Sequence, residues 1–323
     1  MHKTISNWAV AFSMAAGVLA AAPAQADYPE QPIKLVVSFP PGSGTDTNAR
    51  YAATKLQERV GVPVIVENRP GANSFIAAEA VINAKPDGYT LLLASNSPVT
   101  TNVVMFKDLR YDPVNQLTPL AKLSYGPMAL TVKSDSPFQT VDDLIEHSKQ
   151  NPGSLNYGAG SASYRIATEL FLTQAGVKAE HIPYKGAAPA LTDLAGGHVD
   201  FVFADFGAVV PFIESGAMRV LAVTGNERVS VLPDVPTLQE AGLKDYYMIN
   251  FTAAFAPAGT PQDIVDYLSE HFVEIYKDPE TQKFLDRTHW ISFPGGPEEL
   301  RQFQQSEIER WGAAREAANI PQQ

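Results

Sequence analysis

The 323-residue chain contains no cysteine. That absence excludes a disulfide framework, thiolate zinc sites, iron–sulfur clusters, a cysteine nucleophile and a lipid-modified cysteine anchor. Basic side chains are few: 24 Lys and Arg stand against 35 Asp and Glu, a net charge of −11. A nucleic-acid binder needs a basic face to meet phosphates, so no nucleic acid is expected as partner. Charged residues make up only 18% and hydrophobic ones 45%, a globular balance rather than a disordered one. Past the N-terminus no apolar run is long enough to cross a bilayer. Catalytic patterns are also missing: there is no G-x-S-x-G elbow, no H-E-x-x-H and no phosphate loop ending in Gly-Lys-Ser/Thr. The six histidines, His2, His147, His181, His198, His271 and His289, show no ligand spacing. No catalytic residue, metal site or cofactor is therefore expected.

Residues 1–26, MHKTISNWAVAFSMAAGVLAAAPAQA, read as an export signal. Lys3 supplies the positive start, Trp8 to Ala22 the short apolar stretch, and Ala24-Gln25-Ala26 the small-residue cleavage motif. The stretch is shorter than the roughly 18–20 residues that span a membrane. Cleavage after Ala26 is expected, giving a freely diffusing protein with a side-chain charge of −12. Its compartment would be the periplasm of a Gram-negative source.

The mature part alternates short apolar runs with helical spacing. Strands are expected at 33–39, 62–66 and 91–93, with helices at 47–60 and 73–84 between them. This β-α-β-α-β order implies a parallel, doubly wound sheet. The order restarts with strands at 155–157, 181–184, 199–204 and 219–223 and helices at 162–175, 187–195 and 207–215. Two extended apolar stretches, 117–132 and 251–256, are placed to carry the chain between two lobes. The C-terminal part is read as helices at about 261–277, 279–287 and 297–318. In such folds ligands sit beyond the carboxyl ends of the strands. The loops after Phe39, Leu93, Tyr157 and Ala204 are therefore the candidate site.

The first loop, PPGSGTD, comprises Pro40, Pro41, Gly42, Ser43, Gly44, Thr45 and Asp46. It joins a strand to a helix N-terminus, whose amides and partial positive charge suit an anion. Thr45 or Asp46 is the expected cap, and capping alone accounts for Asp46 equally well. Gly42-x-Gly44 followed by Thr47, with Glu67 at the end of the next strand, only partly matches a dinucleotide fingerprint. The second loop offers Ser95, Asn96 and Ser97, which also read as ordinary turn formers. The third, Gly158 to Arg165, presents Gly160, Ser161, Ala162, Ser163, Tyr164 and Arg165 at another helix start. A cation at Arg165 opposes the helix dipole, and a bound carboxylate would offset that cost. A solvated Arg165 is the plain alternative. The fourth place is Asp205-Phe206, where Asp205 either meets ligand or caps the helix that follows.

Several longer segments occur in order: PIKLVVSFPPGSGTDTNAR, VIVENRPGANS, AKPDGYTLLLAS, LNYGAGS, HIPYKGAAPALTDLAGGHVDF, LAVTGNERVSVLPDVPTLQEAGL and FAPAGTP. Together, from about residue 32 to 261 and more weakly beyond, they resemble the Bug-type extracytoplasmic binding proteins of tripartite tricarboxylate transporters. The resemblance implies an α/β, type II-like periplasmic binding protein with two Rossmann-like lobes joined by two crossing segments. Residues 27–127 plus 250–323 would form one lobe and 128–249 the other. The implied function is capture of a small organic carboxylate by hinge closure, by a monomer that is not an enzyme. A tripartite tricarboxylate-type permease, with large and small subunits, is the implied partner. By the same resemblance the loops 39–46, beginning at Phe39, and 95–102 grip one carboxylate, partly through water. The segment 160–165 and the strand end near 205 act from the other lobe.

The chain departs from the family pattern at two places. Tyr164-Arg165 stands where the family often has Ser-His, and Ala204-Asp205 where it often has Asp-Asn. The first departure suggests that Arg165 binds a second carboxylate and that Tyr164 or Phe206 packs on an aromatic or apolar spacer. The PYKG motif, Pro183 to Gly186, is assigned to lobe packing. The competing readings are an NAD-dependent or hydrolytic α/β enzyme, and a binding protein that serves a sensor.

Overall fold

A computed structural model describes residues 28–323; the expected export signal lies outside the described residues. The first half opens with β1 (Ile33–Val37), α1 (Gly44–Val60), β2 (Val64–Asn68), α2 (Phe75–Ile82) and β3 (Thr90–Ala94). β1 is an apolar run buried along most of its length, because helices cover both faces of the sheet. It pairs in parallel with β2 on one side and β3 on the other. The short α3 (Asn102–Met105) follows, and then the 17-residue β4 (Leu117–Lys133).

The second half comprises α4 (Val141–Gln150), β5 (Asn156–Ala159), α5 (Ala162–Ala175), β6 (Glu180–Pro183), α6 (Ala187–Gly196), β7 (Phe201–Asp205), α7 (Phe206–Glu214) and β8 (Met218–Val223). The chain returns through β9 (Ile249–Pro257) and ends in α8 (Gln262–Lys277), α9 (Pro279–Thr288), β10 (Ile291–Gly295) and α10 (Pro297–Ala317). The sheet runs β2-β1-β3-β9-β4-β7-β5-β6, with β10 and β8 also pairing to β4.

β4 is the joint of this sheet. Its Leu117–Pro127 portion pairs antiparallel with β9, ending at Pro127 opposite Ile249. From Met128 onward it pairs with β7 and β8 instead. The two stretches expected to cross between lobes are thus β4 and β9, hydrogen-bonded to each other. The result is a two-lobed α/β architecture whose halves meet along β4 and β9. Separate apolar cores serve the halves: Leu35, Leu91 and Phe272 belong to one, Phe171, Phe201 and Phe203 to the other. α10 straps both, burying Leu300 against Phe251 and Phe255 and Trp311 in the core of the second half.

Three local expectations need correction. Residues 95–102 are not an irregular loop: a wide helical turn, Ser97–Thr101, runs into α3. Their polar side chains bond inward, Thr100 Oγ1 donating to the Asn96 carbonyl at 2.7 Å, so composition alone reads them as a turn. The helix expected from 73 is preceded by a left-handed turn, with positive φ at Ala72, Asn73 and Ser74. Asn102 holds that turn by donating from Nδ2 to the Asn73 carbonyl at 2.7 Å. Finally, α4 and β10 were not expected. α4 carries a visible signal, Thr140 and Asp143 capping each other's backbone amides.

Candidate functional site

Each candidate loop leaves the end of a strand and turns into a helix. After β1, Gly42 adopts φ 83°, which an L side chain strains to reach. The Asp46 carboxylate then gathers the loop. It accepts from the Gly42 amide at 2.9 Å, Asn68 Nδ2 at 2.8 Å and Arg50 Nε at 3.0 Å. Burial works to raise the pKa of Asp46, but these donors outweigh it and hold the group below the ordinary carboxylate value. The α1 cap is Ser43, whose Oγ accepts from the Asp46 amide at 3.1 Å, rather than Thr45 or Asp46. Asp46 is thus consumed in shaping the loop. Asn68 reinforces it by donating to the Phe39 carbonyl at 3.0 Å.

Asn96 is likewise turned into the fold. Its Nδ2 donates to the Ile249 carbonyl and its Oδ1 accepts from the Phe251 amide, both at 2.9 Å. It completes the backbone of β9 where that strand passes the site. Ser97 Oγ reaches Ser163 Oγ at 3.2 Å, and Thr101 Oγ1 reaches the same atom at 3.3 Å. These contacts join the first half to the start of α5.

Ser161 caps α5 through its Oγ. Gly160 is required by close approach: a Cβ there would lie 2.2 Å from the Gly186 backbone, at the start of α6. Gly186 in turn packs on Pro40, so the PYKG segment meets the first loop across the cleft. Ala162 is the first residue of α5. Tyr164 and Arg165 are consecutive on that helix and point about 100° apart, so both cannot face one side. Tyr164 faces Asp205. Arg165 turns away, against Tyr157 and His181, and helps push the His181 pKa to about 4 after burial has lowered it. Arg165, the residue suggested for a second carboxylate, is thus not in the wall of the cavity that Tyr164 faces.

The loops converge on one small cavity. Its walls are Phe39, Ser43, Thr45, Ser95, Ser161, Ser163, Tyr164, Ala187, Asp205 and Asn250, around space of about 10 Å³, roughly one water site. Of the candidate residues, Pro40, Gly42, Gly44, Asp46, Asn96, Ser97, Gly160, Ala162, Arg165 and Phe206 do not line it. Phe206 is buried with its edge against the His289 ring. Gly44 stands just behind the wall, where a Cβ would come within 2.7 Å of Asp205 Oδ2. Ala187 and Asn250 were missed by sequence reasoning. The signal for Asn250 was present: it is a lone amide in the apolar run of β9, followed two residues later by Thr252.

Four helices present their N-terminal ends here: α1 through Ser43 and Thr45, α5 through Ser161, Ser163 and Tyr164, α6 through Ala187, and α7 at Asp205. Each adds partial positive charge and free amides, so the cavity is electrically suited to an anion without any Lys or Arg in its wall. Asp205 is the exception within this field. It occupies the cap position of α7, yet its side chain makes no cap bond. It accepts from Asn250 Nδ2 and lies against the Tyr164 hydroxyl. Burial pushes its pKa up to about 6 against the opposing pull of Asn250 and Tyr164. Glu67, which a ribose site would need free, is held by Lys34 at 2.8 Å and by Arg69. No cluster of side chains suited to a metal ion occurs among the described residues. No helix among them is long and apolar enough to cross a membrane.

The model of the tripartite tricarboxylate transporter family receptor matches residues 48–320. Protein BugT of Bordetella pertussis is 34% identical over 310 residues, covering 94% of each chain. Among solved structures, Rpa4515 of R. palustris with adipate superposes with a TM-score of 0.90 at 33% identity. That match covers 92% of this chain and 100% of the other. MatC of Rhodopseudomonas palustris with bound malate gives 0.84 at 29% identity, covering 89% and 99%.

Proposed function

The chain belongs to the tripartite tricarboxylate transporter receptor family, and from that premise we propose that it captures a small organic dicarboxylate between its lobes. Proteins of this family are periplasmic solute-binding proteins, not enzymes. The observation that carries the carboxylate reading is the meeting of four helix N-termini at one cavity that has no basic side chain. One carboxylate of the ligand takes the hydroxyls of Ser43, Thr45, Ser95, Ser161 and Ser163, together with backbone amides at the helix starts. Adipate and malate, the ligands of two structural neighbours, support a dicarboxylate.

We assign residues 27–127 and 250–323 to one lobe and 128–249 to the other, hinged where β4 changes partners after Pro127. Closure brings Ser163 to Ser97 and Thr101. The loaded monomer then delivers its cargo in the periplasm to a tripartite permease with large and small subunits. A micromolar dissociation constant needs about −8 kcal/mol. Several charge-assisted hydrogen bonds of about 1.5–3 kcal/mol each cover that after ordering costs. The test is a thermal-shift panel of aliphatic, aromatic and amino-acid carboxylates, followed by calorimetry. A dicarboxylate such as adipate should raise the melting temperature, and its neutral diamide should not. Equal shifts from acid and diamide, or none from any acid, would overturn the reading.

A further inference from the structure

Within the anion-suited cavity one wall group has the wrong sign. Asp205 is 4% exposed, with Oδ1 accepting from Asn250 and Oδ2 beside Gly44 at the start of α1. An ionised ligand carboxylate and an ionised Asp205 would then be two like charges in one small cavity. Such pairs do not both stay ionised: they share a proton.

The groups facing Asp205 decide whether a counter-charge solves the problem instead. From α5 comes the Tyr164 hydroxyl, from β9 the neutral Asn250 amide, and from α1 the backbone at Gly44. Antiparallel β4 places Met128 opposite it. His289 packs on the neighbouring Phe206 ring, and burial lowers its pKa against the opposing pull of Glu214. Arg165 is turned to Tyr157 and His181, and Arg50 to Asp46 and Asn68. No Lys or Arg lines the cavity.

Resting on the carboxylate reading above, we propose that Asp205 is a proton-carrying ligand contact. On binding it takes one proton from solvent and donates it in a hydrogen bond to the ligand carboxylate. The pair then carries one negative charge, which the four helix ends neutralise in part. Burial already prepares the empty site by raising the Asp205 pKa to about 6, and the incoming anion raises it further. Proton uptake is therefore expected above pH 6 and fades below it, where Asp205 is already protonated. Affinity should fall about tenfold per pH unit from about pH 6.5 to 8 and level off at lower pH.

The experiment is titration calorimetry of the full mature chain with adipate at pH 7.5, in phosphate and in Tris. These buffers differ in ionisation enthalpy, so the difference in apparent heat counts protons. Close to one proton should be taken up. Asp205→Asn should take up none and should bind with a flat pH profile. Adipate binding with no proton uptake by the parent protein would overturn the proposal while leaving the carboxylate reading intact. Failure of every carboxylate in the panel to bind would instead strike the carboxylate reading. A readout that needs no variant is the ¹³C shift of the Asp205 carboxyl, assigned in the empty protein. Repeated with adipate bound, titration of that carboxyl near the ordinary carboxylate value would also reject the proposal.

Discussion

Asp46 and Asp205 are buried carboxylates at neighbouring helix starts, and their surroundings drive them in opposite directions. Asp46 has donors on both oxygens, including the Arg50 guanidinium, so its charged form is favoured in the fold. Its contribution to stability is present above its unfolded pKa and lost as pH falls through the lower folded value. Burial disfavours the charged form of Asp205, and its two neutral partners, with no cation beside them, do not offset that cost. For an acid with a raised folded pKa, stability is greatest at low pH and is lost as pH rises from about 4 to about 6. Asp205→Asn should therefore stabilise the empty protein at pH 8, by about 3 kcal/mol at most, and have little effect at pH 4. Denaturant unfolding at the two pH values checks this, and an equal effect at both would show that charge is not the cause.

At the scale of elements, the short polar segment after β3 and the strand β9 depend on each other. Asn96 satisfies one carbonyl and one amide of β9 where the strand borders the cavity. Asn96→Ala would leave both buried groups without that partner, at about 1–3 kcal/mol each. The denaturation midpoint should fall accordingly, and adipate affinity should drop because Asn250 lies between those two β9 contacts. A variant with parent stability would mean that water replaces the amide. Most elements were legible in the sequence, because buried strands and capped helices leave apolar runs, glycines and caps behind. α5 and α8 fall where the pattern placed them, to within a residue. The helical turn at Ser97–Thr101 was not legible, since residues that bond into the protein interior there are those that form turns elsewhere.

For the whole molecule the question is whether the halves move. β4 and β9 are the two strands shared between them, and Ser97 and Ser163 meet across the cleft at 3.2 Å. The absence of native cysteine makes a clean lock feasible. With Ser97→Cys and Ser163→Cys together, oxidation of the empty protein should form a disulfide and prevent adipate from entering. Reduction should restore binding. If the oxidised protein, with the bond confirmed by mass, binds adipate as fast as the reduced one, no opening of the cleft is needed.

The sequence alone determined the alternation of elements, the strand-end loops and the absence of thiol chemistry, because these follow from local periodicity and composition. It also singled out Ser43, Ser161 and Asp205, which share one cavity wall, since strand-to-helix turns expose amides wherever they occur. Tertiary structure decided which of those side chains face the cavity. Helical phase turned Tyr164 inward and Arg165 away, and a strand arriving from residue 250 brought Asn250 to Asp205. The balance of charge in the site was decided at the same level. Long-range packing encloses a carboxylate, without a cation, among four helix ends, and no local pattern encodes that meeting.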